Sequence, residues 1–420
     1  MTSPNFKPRR VVVTGVGVIS PIGNDKEAVW DSLINGRGGV GPITRFDASD
    51  FAVRIAAEVK DFDPKVYIER REARHMDLFA QFGLAAGIQA VEDSCIDFEL
   101  CDRDRSGVII GSGIGGLCTF EEQVEKLLKR GPSRVSPFFI PMMIADIVAG
   151  HLSIRYDLRG PNYATTSACA TSSHSIGCAM KAIRYGDADL MLSGGCEAPI
   201  TKMGLAGFAA LKAISSRNDE PEKASRPFDA KRDGFIIGEG SGVILLEELE
   251  HALARKAKIY CEIVGVGFTG DAYHITAPAE DGHGAVRAMQ IAIKEAGLTP
   301  DQIGYVNAHG TSTSLNDKAE SQAIRTVFGV YADQLSISST KSMHGHLLGA
   351  AGAIELIVSM LAMNGEMIPP TINYEYPDPE CDLNYTPNSA VKKKFDTAMS
   401  NTFGFGGHNA SIVIRRYNQS

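Results

Sequence analysis

Apolar runs that end in glycine or a polar turn alternate along this chain with stretches of helical period. RRVVVTGVGVIS, SGVIIGSGIGG, DLMLSGGCEA, CEIVGVGFTG, IGYVNAHGTST and SIVIRR read as strands. MDLFAQFGLAAGIQAVEDS, HGAVRAMQIAIKEAGL and AIELIVSMLAMN read as helices. Strands this continuously apolar are covered on both faces, so the pattern predicts mixed sheets layered with helices.

The same series occurs twice. RRVVVTGVGVIS resembles CEIVGVGFTG, SGVIIGSGIGG resembles IGYVNAHGTST, TTSACATSSHSIGCA resembles SSTKSMHGHLLGAAGA, and DLMLSGGCEA resembles TAMSNTFGFGGHNA. Four weak matches in one order imply a duplicated α/β unit. The expected halves are residues 1–255 and 256–420, divided near His251 to Lys258, with an insertion of about 121–153 lengthening the first. The Cys169 segment and the Lys341–His346 segment then become equivalent strand-to-helix junctions that face each other, where chemistry concentrates.

Composition narrows the function classes. The 420 residues are 44% hydrophobic and 22% charged with 43 glycines, as in a globular protein of two domain-sized cores. A net charge of −8 supplies no general basic surface, so neither nucleic acid nor an anionic membrane is the expected partner. MTSPNFKPRR runs into VVVTG without an apolar signal core, and no run approaches the length of a membrane span; the expected compartment is the cytoplasm. Eight scattered cysteines without CxxC spacing point to free thiols, with no metal site and no disulfide framework.

Two glycine-rich stretches lose their obvious reading. GSGIGG, Gly111 to Gly116, matches G-x-G-x-x-G, but the second strand with its acid about 20 residues on is replaced by the helical EEQVEKLLKRGP. GFGGHN, Gly404 to Asn409, leads into a strand pattern where a phosphate cradle opens a helix, and reads as a mobile backbone loop. Cys169 at a helix opening packs as a small hydrophobe or serves as a nucleophile. His309 in NAHGTST has company in Lys341, His344, His346 and Glu355. His174 lies about 140° around the helix from Cys169 and reads as structural.

The order Cys169, NAHGTST, KSMHGHLLGAAG and NTFGFGG resembles the β-ketoacyl-[acyl-carrier-protein] synthases, from Val11 to Ile414, and above all their elongating Cys-His-His class, synthase II. The resemblance implies the thiolase fold, two duplicated α/β halves in five αβαβα layers. It implies an acyltransferase of fatty acid elongation that condenses malonyl carrier protein, with loss of carbon dioxide, onto an acyl chain held on Cys169. His309 and His346 are expected to donate hydrogen bonds as neutral imidazoles, His346 being kept neutral by the helix that it opens. A helix N-terminus would bring the thiol toward pKa 7. Oxyanion donors are expected in the N–H groups of Cys169 and Phe405, Phe405 doubling as a gate, with Lys341 and Glu355 as a supporting pair.

The resemblance also implies an acyl pocket lined by Ile114, Phe208 and Phe235, a phosphopantetheine arm bonded by Thr311 and Thr313, and carrier docking on Arg70, Arg71, Arg74 and Lys212. No cofactor is expected, since phosphopantetheine arrives on the acyl carrier protein. PFFIPMMI, Pro137 to Ile144, resembles a homodimer segment. His408 departs from the threonine of many members. A degradative thiolase would need a second cysteine near the C-terminus, and a Cys-His-Asn starter enzyme an asparagine at His346. A polyketide ketosynthase shares the chemistry, and a non-elongating partner subunit would lack Cys169.

Overall fold

A computed structural model describes residues 8–418. The N-terminal residues 1–7, on which the expectation about a leader partly rests, lie outside the described residues.

Ten strands form one sheet. In chain order they are β1 (Val11–Ile19), β2 (Ser106–Gly111), β3 (Asn162–Tyr163), β4 (Leu190–Glu197), β5 (Gly240–Glu248), β6 (Cys261–Gly270), β7 (Tyr305–Asn307), β8 (Ser336–Ser338), β9 (Thr397–Gly404) and β10 (His408–Arg415). Their spatial order is β8-β7-β9-β10-β6-β1-β5-β4-β2-β3. Each half therefore runs first, fifth, fourth, second, third from the centre. The pairings repeat as well: β1–β5–β4 and β6–β10–β9 are antiparallel, and β4–β2–β3 and β9–β7–β8 are parallel. At the centre Val12 pairs with Glu262. Both residues pair outward at equivalent places, Val12 with Glu247 and Glu262 with Arg415, so the twofold relation passes through their contact.

The principal helices are α1 (Leu78–Ser94), α2 (Leu117–Arg130), α3 (Ile147–Tyr156), α4 (Thr171–Tyr185), α5 (His283–Glu295), α6 (Ser314–Phe328) and α7 (Ala351–Gly365). α4 and α7 touch each other and strands of both halves, so they form the central layer. α1 with α3 covers the outside of one half and α5 with α6 the outside of the other, which completes the five αβαβα layers of the thiolase fold. The GVG of both repeats now has a cause. A Cβ on Gly17 would lie 1.9 Å from the carbonyl oxygen of Ala86 in α1, and one on Gly267 would lie 1.9 Å from that of Ala288 in α5. Only glycine lets each outer helix approach its strand so closely.

Between β2 and β3 the chain carries α2 and a short helix, Phe139–Met143, before α3, whereas α6 is the α-helix that joins β7 to β8. One expectation is corrected: Leu348–Gly365 is long and apolar enough to cross a membrane, with a mean hydropathy of 1.5 over 18 residues. It is 83% buried inside the protein because it includes the central-layer helix α7, hydrophobic all round for that reason.

Candidate active site

Cys169 lies in a single 3₁₀ turn, Ala168–Ala170, that feeds directly into α4. Leu348–Ala350 is the matching turn before α7. Ala168 and Leu348, the first residues of the two turns, both adopt left-handed φ, +49° and +47°. Such backbone is costly for residues with a Cβ and persists where the surroundings impose it. The two junctions are thus alike in geometry, and each aims the following residue, Cys169 or Gly349, at the interface of the halves.

Ligand atoms of Cys169, His309 and His346 lie within 4.8 Å of one another, all three residues being buried. His346 Nε2 is 3.0 Å from Cys169 Sγ. Its backbone is pinned on both sides, its N–H donating to Ile236 O at 2.7 Å and its carbonyl accepting from Gly238 N at 2.9 Å. The N–H of Leu348 donates to His346 Nδ1 at 3.3 Å. Nδ1 is therefore the acceptor, and the neutral ring carries its proton on Nε2, facing the sulfur. His309 follows β7 and is held by Glu320, whose carboxylate accepts the N–H groups of His309 and Gly310 at 2.8 and 2.7 Å. The two imidazoles meet edge to face with centroids 5.3 Å apart.

Burial is the first cause of both imidazoles lying well below the ordinary histidine value, and the Lys341 cation adds to it. This corrects the expected cause for His346, since α7 begins five residues later, at Ala351. Lys341 is buried and paired with Glu355, while burial lifts the Glu355 carboxyl to about 7 against the pull of that lysine. The expectation for the thiol is overturned. Burial pushes Cys169 up to about 11, opposed by the N–H of Phe405 and by Lys341. A helix terminus does not outweigh desolvation of a thiolate here.

Cys169, His309 and His346 sit at a cavity of about 450 Å³ whose lining includes Ile114, Phe208, Phe235, Phe403 and Phe405. Thr311 and Thr313 also line it, their hydroxyls 2.9 Å apart. Lys212 is exposed and lines it too. Arg70, Arg71 and Arg74 do not; they lie exposed on and beside the short helix Arg70–Ala73. Next to them His75 stacks on Phe138 of the PFFIPMMI segment at 3.9 Å. His174 turns to Ser167 Oγ at 2.6 Å and His344 to Thr340 Oγ1 at 3.0 Å, so neither joins the cluster.

GFGG is a tight hairpin turn between β9 and β10, with Gly406 and Gly407 at φ +83° and +70°. It is braced by the N–H of Gly406 on Ile275 O at 2.7 Å. His408 opens β10 opposite Gly404. The sequence reading missed Glu320, Glu197 and the Asp271–Pro278 stretch that contributes to the cavity. Acidic residues in GGCEAP and NDKAES carry no local sign of a distant partner; only the glycines before Glu197 hinted at close packing.

Residues 8–252 match the family model described as beta-ketoacyl synthase, N-terminal domain, and residues 260–375 match its C-terminal domain. The chain is 52% identical over 413 residues to the 3-oxoacyl-[acyl-carrier-protein] synthase 2 of Synechocystis sp., covering 98% of this chain and 99% of that protein. It is 51% identical over 409 residues to the protein of the same name from Staphylococcus aureus (strain COL), covering 97% and 99%. Among solved structures, a beta-ketoacyl synthase from Burkholderia phymatum superposes with TM-score 0.91 at 38% identity, covering 98% of this chain and 100% of that one. A type II PKS acyl-carrier protein in complex with its ketosynthase bound to the hexaketide gives 0.91 at 35%, with the same coverage. Matched by family models in both halves and by relatives along almost its whole length, the chain belongs to the β-ketoacyl synthase family.

Proposed function

We propose that this protein is an elongating condensing enzyme of fatty acid synthesis, a 3-oxoacyl-[acyl-carrier-protein] synthase of the second type. The observation that carries the reading is the Cys169 sulfur, 3.0 Å from a protonated Nε2 of His346 at a largely apolar cavity. Relatives at about half identity bear that name. Cys169 also separates the chain from a non-elongating subunit.

In the first half-reaction Cys169 gives its proton to solvent, its sulfur attacks the carbonyl carbon of an acyl thioester, and the pantetheine sulfur leaves with the electron pair of the broken C–S bond and takes up a proton. With burial holding the thiol near 11, the protonated form dominates at neutral pH. Catalysis therefore rests on donors that act as charge develops: the N–H groups of Cys169 and Phe405 at the oxyanion, and His346 Nε2–H at the sulfur. In the second half-reaction malonyl carrier protein loses carbon dioxide, and the electron pair of the broken C–C bond passes into an enolate. Neutral His309 and His346 donate to its oxygen. The enolate carbon then attacks the acyl-cysteine, and the sulfur leaves. Lys341 with Glu355 supports the histidines from beneath, and Phe405 gates the acyl chain.

Ile114, Phe208 and Phe235 take the acyl chain, Thr311 and Thr313 the phosphopantetheine arm, and Arg70, Arg71, Arg74 and Lys212 the acidic carrier. The phosphopantetheine belongs to that carrier. The halves are 1–255 and 256–420. Phe138, Ile140 and Ile144, exposed by 42, 55 and 37%, support a homodimer across PFFIPMMI. The enzyme works in the cytoplasm. Acyl and malonyl carrier proteins incubated with the enzyme are expected to yield a β-ketoacyl product two carbons longer and one carbon dioxide. Absence of that product with every primer length overturns the assignment.

A further inference from the structure

The twofold relation makes Glu197, last residue of β4, the counterpart of Gly404, last residue of β9: each pairs with the first residue of the neighbouring strand, Gly240 or His408. Gly404 lies against Cys169, where an added Cβ would stand 3.0 Å from its backbone nitrogen. In the other half Glu197 reaches into the matching place. Its Oε2 accepts the N–H of Gly349, counterpart of Cys169, at 3.0 Å and that of Gly113 at 2.8 Å; its Oε1 accepts Ser112 Oγ–H at 2.7 Å and the N–H of Ile114 at 3.1 Å. Ser112 Oγ already accepts from Gly115 N, so its own hydrogen is free for the carboxylate. Four donors converge on a side chain with no exposed surface, and among the described residues no cation pairs with it.

We propose that Glu197 is a positioning residue of the condensing site: its carboxylate fills the second half's counterpart of the hole beside Cys169, and from there it ties the Ile114 wall to Gly349 and sets the negative charge felt by the Cys169 sulfur. The tie joins Ile114, on the acyl cavity, to the turn whose Leu348 N–H orients His346. The groups acting on the sulfur are Lys341, which favours the thiolate, Glu197, which opposes it and whose own carboxyl burial raises against the pull of its four donors, the N–H of Phe405, and the neutral rings of His309 and His346. The inference rests on Cys169 being the nucleophile.

The test follows loss of condensing activity to iodoacetamide as a function of pH in the full chain, Glu197→Gln and Glu197→Asp, beside kcat/KM for short and long acyl carrier proteins. Glutamine keeps the shape, removes the charge and turns an NH₂ group on two of the donors. Its alkylation midpoint is expected to move to lower pH by about half a unit or more. Aspartate keeps the charge but is one methylene too short for all four donors, so its midpoint stays at the wild-type value. Both variants are expected to lose several-fold more kcat/KM with long than with short primers. An unmoved glutamine midpoint, or an unchanged chain-length profile in both variants, overturns the proposal. Should the glutamine variant not fold, the chain-length profile of the aspartate variant decides alone. If iodoacetamide leaves wild-type activity intact, the assignment of Cys169 as nucleophile falls, and this inference with it.

Discussion

Leu348 donates its backbone N–H to His346 Nδ1 across 3.3 Å and so decides which nitrogen of that ring carries the proton. With Nε2–H turned on Cys169 Sγ, His346 is a donor to developing negative charge and not the base that strips the thiol. The two half-reactions are separable on this footing. Cys169→Gln is expected to abolish condensation yet still decarboxylate malonyl carrier protein, because a neutral amide imitates the acylated cysteine. Adding His309→Ala or His346→Ala lowers that decarboxylation by about 100-fold for each donor lost. Carbon dioxide release at the parent rate in either double variant contradicts the enolate site.

The pH dependence follows from the sign of the histidine shifts. Both rings are held well below the ordinary value by burial and by Lys341, so their neutral donor form is lost only as pH falls through those depressed values. Decarboxylation by Cys169→Gln is expected to stay level as pH falls from about 8 to about 5.5, whereas a ring titrating at the usual 6.5 would lose about tenfold over that range. A rate profile bending near 6.5 would place a solvated histidine in the site.

Lys341 and Glu355 form a buried ion pair, and breaking it strands a charge. Lys341→Met is expected to lower unfolding stability by about 3–5 kcal/mol, read from urea titration. Lys341→Met with Glu355→Leu recovers most of that loss. Alkylation of Cys169 at fixed pH nonetheless stays slower than in the wild type, since the cation that pulls the thiol down is gone. Wild-type alkylation in the double variant would show that Lys341 is structural only.

Ile114 lines the cavity at Cys169 that is proposed to take the acyl chain, so Ile114→Phe adds a ring to that space. Overpacking of this kind costs about 1–3 kcal/mol. The longest accepted primer is expected to shorten in an assay across acyl lengths; unchanged use of long primers removes Ile114 from the chain's path.

Arg71 and Arg74 are exposed cations on an acidic protein, and among the described residues neither forms an ion pair. Arg71→Glu with Arg74→Glu is expected to raise KM for acyl carrier protein while leaving small pantetheine thioesters nearly unaffected. Equal losses with both substrates would assign docking to another surface.

What the sequence by itself determined is the repeated architecture and the family. Gly17 and Gly267 announce the duplication because a helix must touch the strand at both, and Cys169, His309 and His346 stand in the motifs that carry the family resemblance. Tertiary structure alone decided how those groups behave. The thiol's rise to about 11 is a matter of burial, which no local pattern records. The proton position on His346 depends on a turn in the left-handed region, and the neutrality of both rings depends on desolvation and on a lysine beneath them. Glu197 and Glu320 were silent for the same reason: a carboxylate accepting backbone N–H groups from another segment is indistinguishable in sequence from one that faces water, and only the folded chain brings Gly349, 152 residues away, to meet it.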